Sequence, residues 1–329
     1  MSGRAGVGGV VIGRDEGARL IACLDALAAS EIVPDRVVYV DSGSTDGSPE
    51  AARARGAEVV VLGADVPFTA ARARNAGLSA LREGPSAPAY VQFVDGDCAL
   101  RPGWIGAARA FLDANPRAAV AAGRLRERFP EASAYNRLCD REWEAPAGRA
   151  KACGGIALMR MAALEAVGGF DPGLVAGEEP ELCLRLGRAG WEVWRLDAEM
   201  GLHDAAMTRF GQFWARMRRS GHAYAEAAAM HGAGPERLGV RGRDSALFWG
   251  LALPAATLAG AALAGPWALA ALAAYPAQAW RIAARDGGGR AAWERAALLM
   301  LGKGAQAQGA LGYWRAARAG RRAGPAGPG

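Results

Sequence analysis

The sequence contains little lysine and little cysteine, and both shortages limit what the protein can be. Lys151 and Lys303 are its only lysines, so arginine carries almost all of the positive charge behind the net charge of +6. The five cysteines are scattered and none forms a C-x-x-C pair, which argues against a disulfide framework and a zinc ribbon. This usage predicts a reduced, cytosolic environment. The apolar run at the N-terminus is too short for a signal peptide.

Two nucleotide-binding motifs are also missing. A dinucleotide-binding fold carries a glycine fingerprint directly after its first strand, but here Gly6, Gly8 and Gly9 lie before that strand or at its start, and GRDEG follows it. The sequence has no P-loop signature and no nucleic-acid-binding motif. We therefore expect no nucleic-acid partner, and basic patches would instead meet a nucleotide phosphate or an anionic membrane.

The chain has the size and composition of a folded protein. Its 329 residues are 51% hydrophobic and 22% charged. This length allows one large α/β domain with an appendage, or two domains.

The first half alternates strand-like apolar runs with helical patterns. Strands are predicted at 9–12, 36–40, 58–62, 89–94 and 118–123, and helices at 17–29, 48–55, 71–81 and 104–114. Repeated βα units favour a mostly parallel sheet covered by helices. Ligands bind at the carboxyl ends of such strands, so functional residues are expected in Arg14-Asp15-Glu16, Asp41-Ser42-Gly43 and Asp95-Gly96-Asp97. Further along, a helix is predicted from Pro180, a strand at 191–196 and an arginine-rich helix at 208–230.

A long uncharged run lies near the C-terminus. Residues 245–280 carry no charge, which predicts membrane contact, and Gly265-Pro266 offers a break between two arms. Arginines flank the run on both sides, which favours a hairpin with both ends in the cytoplasm. The alternative is an alanine-rich helical pair buried in a soluble protein. Residues 290–318 are typical of an amphipathic helix at the membrane interface, and we expect the tail, 323–329, to be disordered.

The stretch VQFVDGDCAL, residues 91–100, ends an apolar run on two aspartates one residue apart. Asp-Gly is a preferred turn pair, because glycine accepts positive φ and aspartate bonds its own backbone. The same two carboxylates could instead hold a metal ion. Taken alone, the stretch favours the turn, and both interpretations stay open.

VVYVDSGSTDGS is a second strand that ends on an acidic residue. Asp46 is placed to cap the helix that follows. Asp41, at the carboxyl end of the strand, could accept a hydrogen bond from the base or ribose of a ligand. The two interpretations use different residues, so both can hold.

Several motifs occur together in a specific order. VVIGRDEG lies at the first strand, VDSGSTDGS at the second, ARNAG at Arg74-Asn75, VDGD after the fourth strand, and GGFDPGLVAGEEPELCLRL follows. Across residues 10–203 this order and spacing resembles the family-2 glycosyltransferases. The resemblance implies a GT-A nucleotide-diphospho-sugar transferase fold, with a Rossmann-like sheet flanked by helices. It also implies transfer of a sugar from a nucleotide donor to a hydroxyl. The remainder resembles the membrane-associating tails of some of these enzymes.

By position, the resemblance implies a donor nucleotide site. Its residues would be Arg14, Glu16, Asp41, Arg74 and Asp95. Asp41 would contact the nucleobase, and Arg74 would lie against the base or the diphosphate. Asp95 would touch the ribose or the metal.

The same resemblance implies a metal site for Mn²⁺ or Mg²⁺. Asp97 would bind the ion, with Asp95 and His203 as further ligands. Such ions prefer hard oxygen ligands, and a bound ion would neutralise charge on the departing diphosphate. The alternative for His203 is a local hydrogen bond beside Asp204.

The general base is expected at Glu178-Glu179, where the family has a Glu-Asp pair. Glu179 occupies the base position by alignment, and it precedes Pro180, a favoured first helical residue. The positive end of the helix dipole would then help keep it ionised. The choice between Glu178 and Glu179 stays open, as does the alternative that these glutamates only serve the helix N-terminus.

Gly154, Gly155 and Trp143 are expected on the acceptor side of the site, because aromatic faces pack against sugars. The expected function is a metal-dependent, inverting glycosyltransferase at the cytoplasmic face of the cell membrane. Its acceptor would be lipid-linked or a saccharide, in envelope glycolipid or polysaccharide synthesis. The expected domains are a catalytic domain (1–235) and a helical C-terminal region (236–322). The alternatives are a non-catalytic, membrane-anchored nucleotide-sugar-binding protein and, less favoured, a Rossmann-type oxidoreductase.

Overall fold

A computed structural model describes residues 6–320, so the predicted disordered tail lies outside the described residues. The chain divides into two compact units. The first comprises the residues up to Pro130 together with Cys139–Leu174 and Glu178–Ala206. The second comprises Glu131–Leu138, Val175–Gly177 and the residues from Met207 onward.

The first unit is built on one mixed sheet. Its strands are β1 (Val7–Gly13), β2 (Arg36–Asp41), β3 (Glu58–Val61), β4 (Tyr90–Asp95), β5 (Cys98–Leu100), β6 (Ala118–Glu127), β7 (Gly148–Ala150), β8 (Ala157–Arg160) and β9 (Glu192–His203). Their order is β3-β2-β1-β4-β8-β6-β9-β5, and β7 pairs with β9. The first four strands of this order are parallel, as the βα pattern predicts. Strands β5, β7 and β8 pair in antiparallel fashion and are too short for periodicity to predict.

Helices cover both faces of this sheet. The helices of the first 190 residues are α1 (Ala18–Ala28), α2 (Ser48–Arg53), α3 (Ala70–Glu83), α4 (Trp104–Ala114), α5 (Ala134–Trp143), α6 (Met161–Ala166) and α7 (Glu178–Arg188), and a short 3₁₀ turn (Pro130–Ala132) precedes α5. Alternate residues of a strand face opposite sides, so Val10 packs in the layer under α3, α6 and α7, while Val11 packs in the layer under α1 and α4. Burial on both faces explains why these strands are apolar along their length.

The register of the parallel strands positions the site. Gly13 at the end of β1 pairs with Asp41 at the end of β2, and Ile12 pairs with Asp95 at the end of β4. The polar segments that follow these three strands therefore lie at one edge of the sheet, which confirms the prediction. We call it the carboxyl edge.

The second unit is helical. It contains α8 (Phe210–His231), α9 (Val240–Leu247), a π-helical turn (Phe248–Ala252), α10 (Leu253–Ala264), a 3₁₀ helix (Pro266–Ala273), α11 (Ala274–Arg285) and α12 (Gly289–Arg318). α8 and α12 pack closely at Gly221, where a Cβ would lie 1.9 Å from the carbonyl oxygen of Gln306. α12 is one continuous helix whose buried face consists mostly of small residues. Within the described residues, one helix, Val240–Ala264, has the length and composition to cross a membrane.

Candidate active site

Arg74 on α3 is a buried cation that contacts three carboxylates. Its side chain is 3% exposed. Nη1 donates to Glu178 Oε1 at 2.6 Å and lies 3.2 Å from Glu179 Oε1, and Nη2 donates to Asp95 Oδ1 at 2.8 Å. Burial lowers the pKa of this guanidinium, but the three carboxylates outweigh burial and raise it above its ordinary value. The structure thus brings together predicted residues from α3, α7 and β4.

Local contacts hold Arg74 in this position. Thr69 caps α3 by accepting a hydrogen bond from the Arg72 amide at 3.1 Å. The next residue, Asn75, exchanges two hydrogen bonds with the backbone of Phe170, at 2.7 and 3.0 Å. The Arg74 guanidinium lies 5.6 Å from the centre of the Phe170 ring. The ARNAG motif is therefore bound directly to the GGFD motif.

Glu178 and Glu179 lie in the first turn of α7. The helix begins at Glu178, so the expectation that it begins at Pro180 is wrong by two residues. Glu178 is buried and is the closer of the two to Arg74. Burial and the neighbouring Glu178 raise the pKa of Glu179 to about 7, against the lowering effect of Arg74. A carboxyl with a pKa near neutrality is suited to general base catalysis.

The two aspartates of the Asp95-Gly96-Asp97 turn face different partners. Asp95 pairs with Arg74 at 2.8 Å, whereas Asp97 Oδ2 lies 3.3 Å from Nε2 of His203. Gly96 does not need a positive φ here. Glycine relieves crowding here, because a Cβ would lie 3.2 Å from both Cγ of Glu16 and the carbonyl oxygen of Ile12, closer than an ordinary contact. The stretch is a turn, and that turn directs its carboxylates to separate groups.

His203 is the last residue of β9, which is longer than the strand predicted at 191–196. Its Nδ1 lies 3.4 Å from Oε2 of the buried Glu127, opposite the contact of Nε2 with Asp97. Burial lowers the pKa of His203, but the hydrogen bonds with Asp97 and Glu127 raise it to about 9. The Trp143 ring packs edge-on against the imidazole, with centroids 4.5 Å apart. Carboxylates thus fix both ring nitrogens.

The group around Asp97 has donor atoms suited to a divalent cation. Ligand atoms of Asp97, Cys98 and His203 all lie within 4.8 Å of one another. Carboxylate oxygen suits Mn²⁺, imidazole is the commonest metal-binding side chain, and a carboxylate behind the second imidazole nitrogen is a common arrangement at metal sites. The soft thiol of Cys98 is not a preferred ligand for such an ion and contacts Asp97 Oδ1 at 3.2 Å. Asp95 is not part of this group.

Three of the predicted nucleotide residues lie at the ends of β1 and β2: Arg14 and Glu16 follow β1, and Asp41 is the last residue of β2. Both carboxylate oxygens of Asp41 accept hydrogen bonds within their own segment, from the Tyr39 hydroxyl and from the amides of Gly43 and Ser44. Asp15 ties the two loops together by accepting a hydrogen bond from the Thr45 amide at 2.7 Å.

Arg14 and Glu16 flank Asp15. The half-exposed Arg14 lies over the Phe68 ring, 5.6 Å from its centre. Glu16 pairs with Arg19 at 2.7 Å, and burial together with Asp97 raises its pKa to about 7.

The predicted acceptor-side glycines differ in their surroundings. A Cβ on Gly155 would lie 2.4 Å from Nη2 of Arg74 and 2.5 Å from Oδ2 of Asp95. A Cβ on Gly154 would meet nothing within 4 Å. Gly155 therefore permits the loop before β8 to approach the buried ion pair.

Sequence reasoning missed three residues of this site. Glu127 lies in a charged segment with no recognisable pattern, and its role follows only from the pairing of β6 with β9. Phe68 lies in an irregular loop. Asn75 follows Arg74 in the ARNAG motif, and this position is the only feature of the sequence that indicated a role for it.

The segment that carries most of these residues matches a known protein family. Residues 10–167, slightly under half of the chain, match the model of the family described as "Glycosyl transferase family 2". The chain carries a family 2 glycosyltransferase domain. No curated protein sequence matches this glycosyltransferase.

Solved structures resemble this glycosyltransferase over most of its length. The mannosyltransferase PcManGT from Pyrobaculum calidifontis, solved with GDP-Man and Mn²⁺, is 21% identical with a TM-score of 0.60. The match covers 91% of this chain and 88% of that one, and it shows that the two share the GT-A fold. S. aureus TarS 1–349 is 18% identical with a TM-score of 0.48, covering 96% and 92% of the two chains.

Proposed function

We propose that this glycosyltransferase moves a sugar from a nucleotide-diphospho-sugar to a hydroxyl acceptor, with a divalent metal ion and with inversion at the anomeric carbon. One observation carries the proposal. The carboxylates around Arg74 and the Asp97–His203 pair adjoin each other at the carboxyl edge, because Asp95 and Asp97 are one residue apart. In this proposal a base at Glu179 and a cation at Asp97 would act side by side.

The donor would lie against the loops after β1 and β2. Asp41 accepts hydrogen bonds from the amides of Gly43 and Ser44 and so holds the loop after β2 in place beside the donor. Direct contact of Asp41 with the base stays a prediction. Arg14 and Glu16 border the same loops. Arg74 keeps Asp95, Glu178 and Glu179 in position, and its contact with the donor stays a prediction.

Asp97 and His203 would hold Mn²⁺ or Mg²⁺, and Asp95 stays a predicted further ligand. A bound ion would supply charge neutralisation at the diphosphate leaving group. Glu127 fixes the orientation of His203, so that Nε2 faces Asp97. The solved neighbour with GDP-Man and Mn²⁺ supports this part of the proposal.

Glu179 would take the proton from the acceptor hydroxyl. Its pKa of about 7 allows it to be ionised before the reaction and to accept a proton during it. Glu178 is the more deeply buried glutamate, so we assign it to holding Arg74. Gly154, Gly155 and Trp143 would border the acceptor.

The enzyme would have two domains and would lie at a membrane. Residues 1–235 would form the catalytic domain and 236–322 a helical membrane region, with an interfacial helix at 290–318. The apolar, largely exposed helix Val240–Ala264 supports contact with a membrane. We place the enzyme at the cytoplasmic face, acting on a lipid-linked or saccharide acceptor in envelope glycolipid or polysaccharide synthesis.

A donor screen tests this function. The melting temperature of the full chain is measured with Mn²⁺ and a panel of UDP- and GDP-sugars, beginning with GDP-mannose. A donor present at 100 times its Kd stabilises the native state by about 2.7 kcal/mol, so one nucleotide class is expected to raise the melting temperature. Release of free sugar from that donor is then measured. A panel in which no donor binds and no sugar is released would overturn the proposal.

A further inference from the structure

The uncharged C-terminal run folds back on itself. We call residues 249–275 the apolar hairpin: α10 forms one arm, the 3₁₀ helix forms the other, and Gly265 at φ +107° forms the tip. The arms touch closely, because a Cβ on Gly260 would lie 3.2 Å from Cβ of Ala268. At the open end, the rings of Trp249 and Tyr275 pack 5.5 Å apart.

Polar groups at the tip are hydrogen-bonded within the hairpin. The Gly265 amide donates to the carbonyl oxygen of Ala261 at 3.2 Å, and the carbonyl oxygen of Gly265 accepts from the Ala268 amide at 3.2 Å. Pro266 has no amide hydrogen. The indole N–H of Trp267 donates to the carbonyl oxygen of Ala264 at 2.8 Å. A turn that faced water would not need these bonds, whereas a turn in hydrocarbon does.

The side chains around this tip are apolar and exposed. Leu258, Leu263 and Trp267 are 66%, 89% and 72% exposed. Leucines on both arms project outward, so the hairpin is apolar all round rather than along one stripe. A second copy of the chain would cover one face, whereas lipid would cover all of them.

The length of the hairpin limits how deep the tip reaches. Trp249 to Ala264 spans about 22 Å at the helical rise, and Trp267 to Tyr275 spans about 15 Å, because the 3₁₀ helix ends at Ala273 and α11 follows it. Aromatic residues favour the membrane interface, which places Trp249 and Tyr275 there. A tip about 15–22 Å below that level reaches or passes the midplane of a ~30 Å hydrocarbon core and stops short of its far side. The exposed Arg241 and Arg281, on the side of the open end, match an anionic lipid surface, whereas Arg243 pairs with Asp244.

The geometry points to insertion of the apolar hairpin, tip first, into one side of a lipid bilayer, with Leu263 and Trp267 in the hydrocarbon and no crossing. This inference deepens the membrane contact of the proposed function and rests on it. The hairpin holds the chain on the membrane and leaves both of its ends on the same side.

Thiol labelling tests the inference. The five native cysteines are buried, so the wild-type chain gives the background. Leu263→Cys marks the tip, and Ala284→Cys, an exposed position beyond Arg281, is the matched control. Each full-length variant is bound to sealed vesicles of phosphatidylcholine and phosphatidylglycerol. A membrane-impermeant maleimide is added outside, or trapped inside in a parallel sample, and total thiol is measured in denaturant.

We expect Ala284→Cys to label from outside only and Leu263→Cys to label from neither side. Labelling of Leu263→Cys from inside would show a full crossing, and labelling from outside would show no insertion; either overturns the inference. Failure to float with vesicles, with a dimer in light scattering, would identify a second copy as the occupant and also overturn it. Sugar release by the same variants is measured separately, so failure of the proposed activity is distinguishable.

Discussion

Nη1 of Arg74 lies 2.6 Å from Oε1 of Glu178, and both side chains are buried. Arg74 also contacts Glu179 and Asp95, so one guanidinium balances three carboxylates. Its planar set of donors allows this, and an ammonium group could not reproduce it.

Replacing Arg74 should therefore destabilise the protein. Arg74→Ala leaves three carboxylates without their cation, and removing one partner of a buried pair costs about 3–5 kcal/mol of unfolding free energy. Arg74→Lys keeps the charge and should fall between wild type and the alanine variant. Urea unfolding of the three proteins checks this order. Equal stability of all three would contradict the assigned role.

Gly155 should tolerate no side chain, and Gly154 provides the matched control. In Gly155→Ala the new Cβ meets Arg74 and Asp95 at about 2.5 Å or less, so the ion pair must shift. Gly154→Ala adds a methyl group in open space. We expect Gly155→Ala to lower the melting temperature, because the buried ion pair must shift, and Gly154→Ala to leave the melting temperature unchanged. Wild-type behaviour of Gly155→Ala would show that the loop does not depend on this approach.

Substitution of Glu178 and of Glu179 should have different effects on turnover and on stability. Glu179→Gln removes the proposed base, which typically lowers kcat by 10²–10⁴-fold, while the Kd of the donor stays unchanged. Glu178→Gln weakens the hydrogen bond to Arg74 and should lower stability more than Glu179→Gln does. If Glu178→Gln instead abolishes turnover and Glu179→Gln does not, the assignments are exchanged.

The rate should depend on pH through Glu179. Glu178 and Asp95 face it along with Arg74, and the net effect of burial and these charges is a pKa of about 7. The base must be ionised, so kcat/KM should level off above about pH 8, be about half-maximal near pH 7, and fall towards tenfold per unit of pH at lower pH. Glu16 has a similar pKa, so the Glu16→Gln variant is the control and should keep this profile. A profile that is flat from pH 6 to 8 would exclude Glu179 as the titrating base.

The sequence predicts the parallel part of the fold well, for a physical reason. Strands β1, β2 and β4 are buried on both faces, so they are apolar runs, and their polar ends identify the carboxyl edge. The antiparallel strands are three or four residues long, and their pairing depends on contacts between distant segments.

The motifs propose a set of site residues, but they do not predict the contacts between those residues. Position along the motifs could not tell that Asp95 pairs with Arg74 while Asp97 pairs with His203. It could not identify Glu127 either, because that residue reaches His203 only through the alignment of β6 with β9. Pairing of side chains is decided by tertiary structure, which local patterns do not contain.

The most direct test of the central claim is the metal dependence of sugar release. Wild type and Asp97→Asn are assayed with the donor that binds, with Mn²⁺ and after removal of metal by EDTA. We predict that wild type releases sugar with Mn²⁺, loses this activity in EDTA and regains it when Mn²⁺ is restored, while Asp97→Asn stays at the EDTA level. Equal release by Asp97→Asn and wild type in the presence of Mn²⁺ would contradict the account.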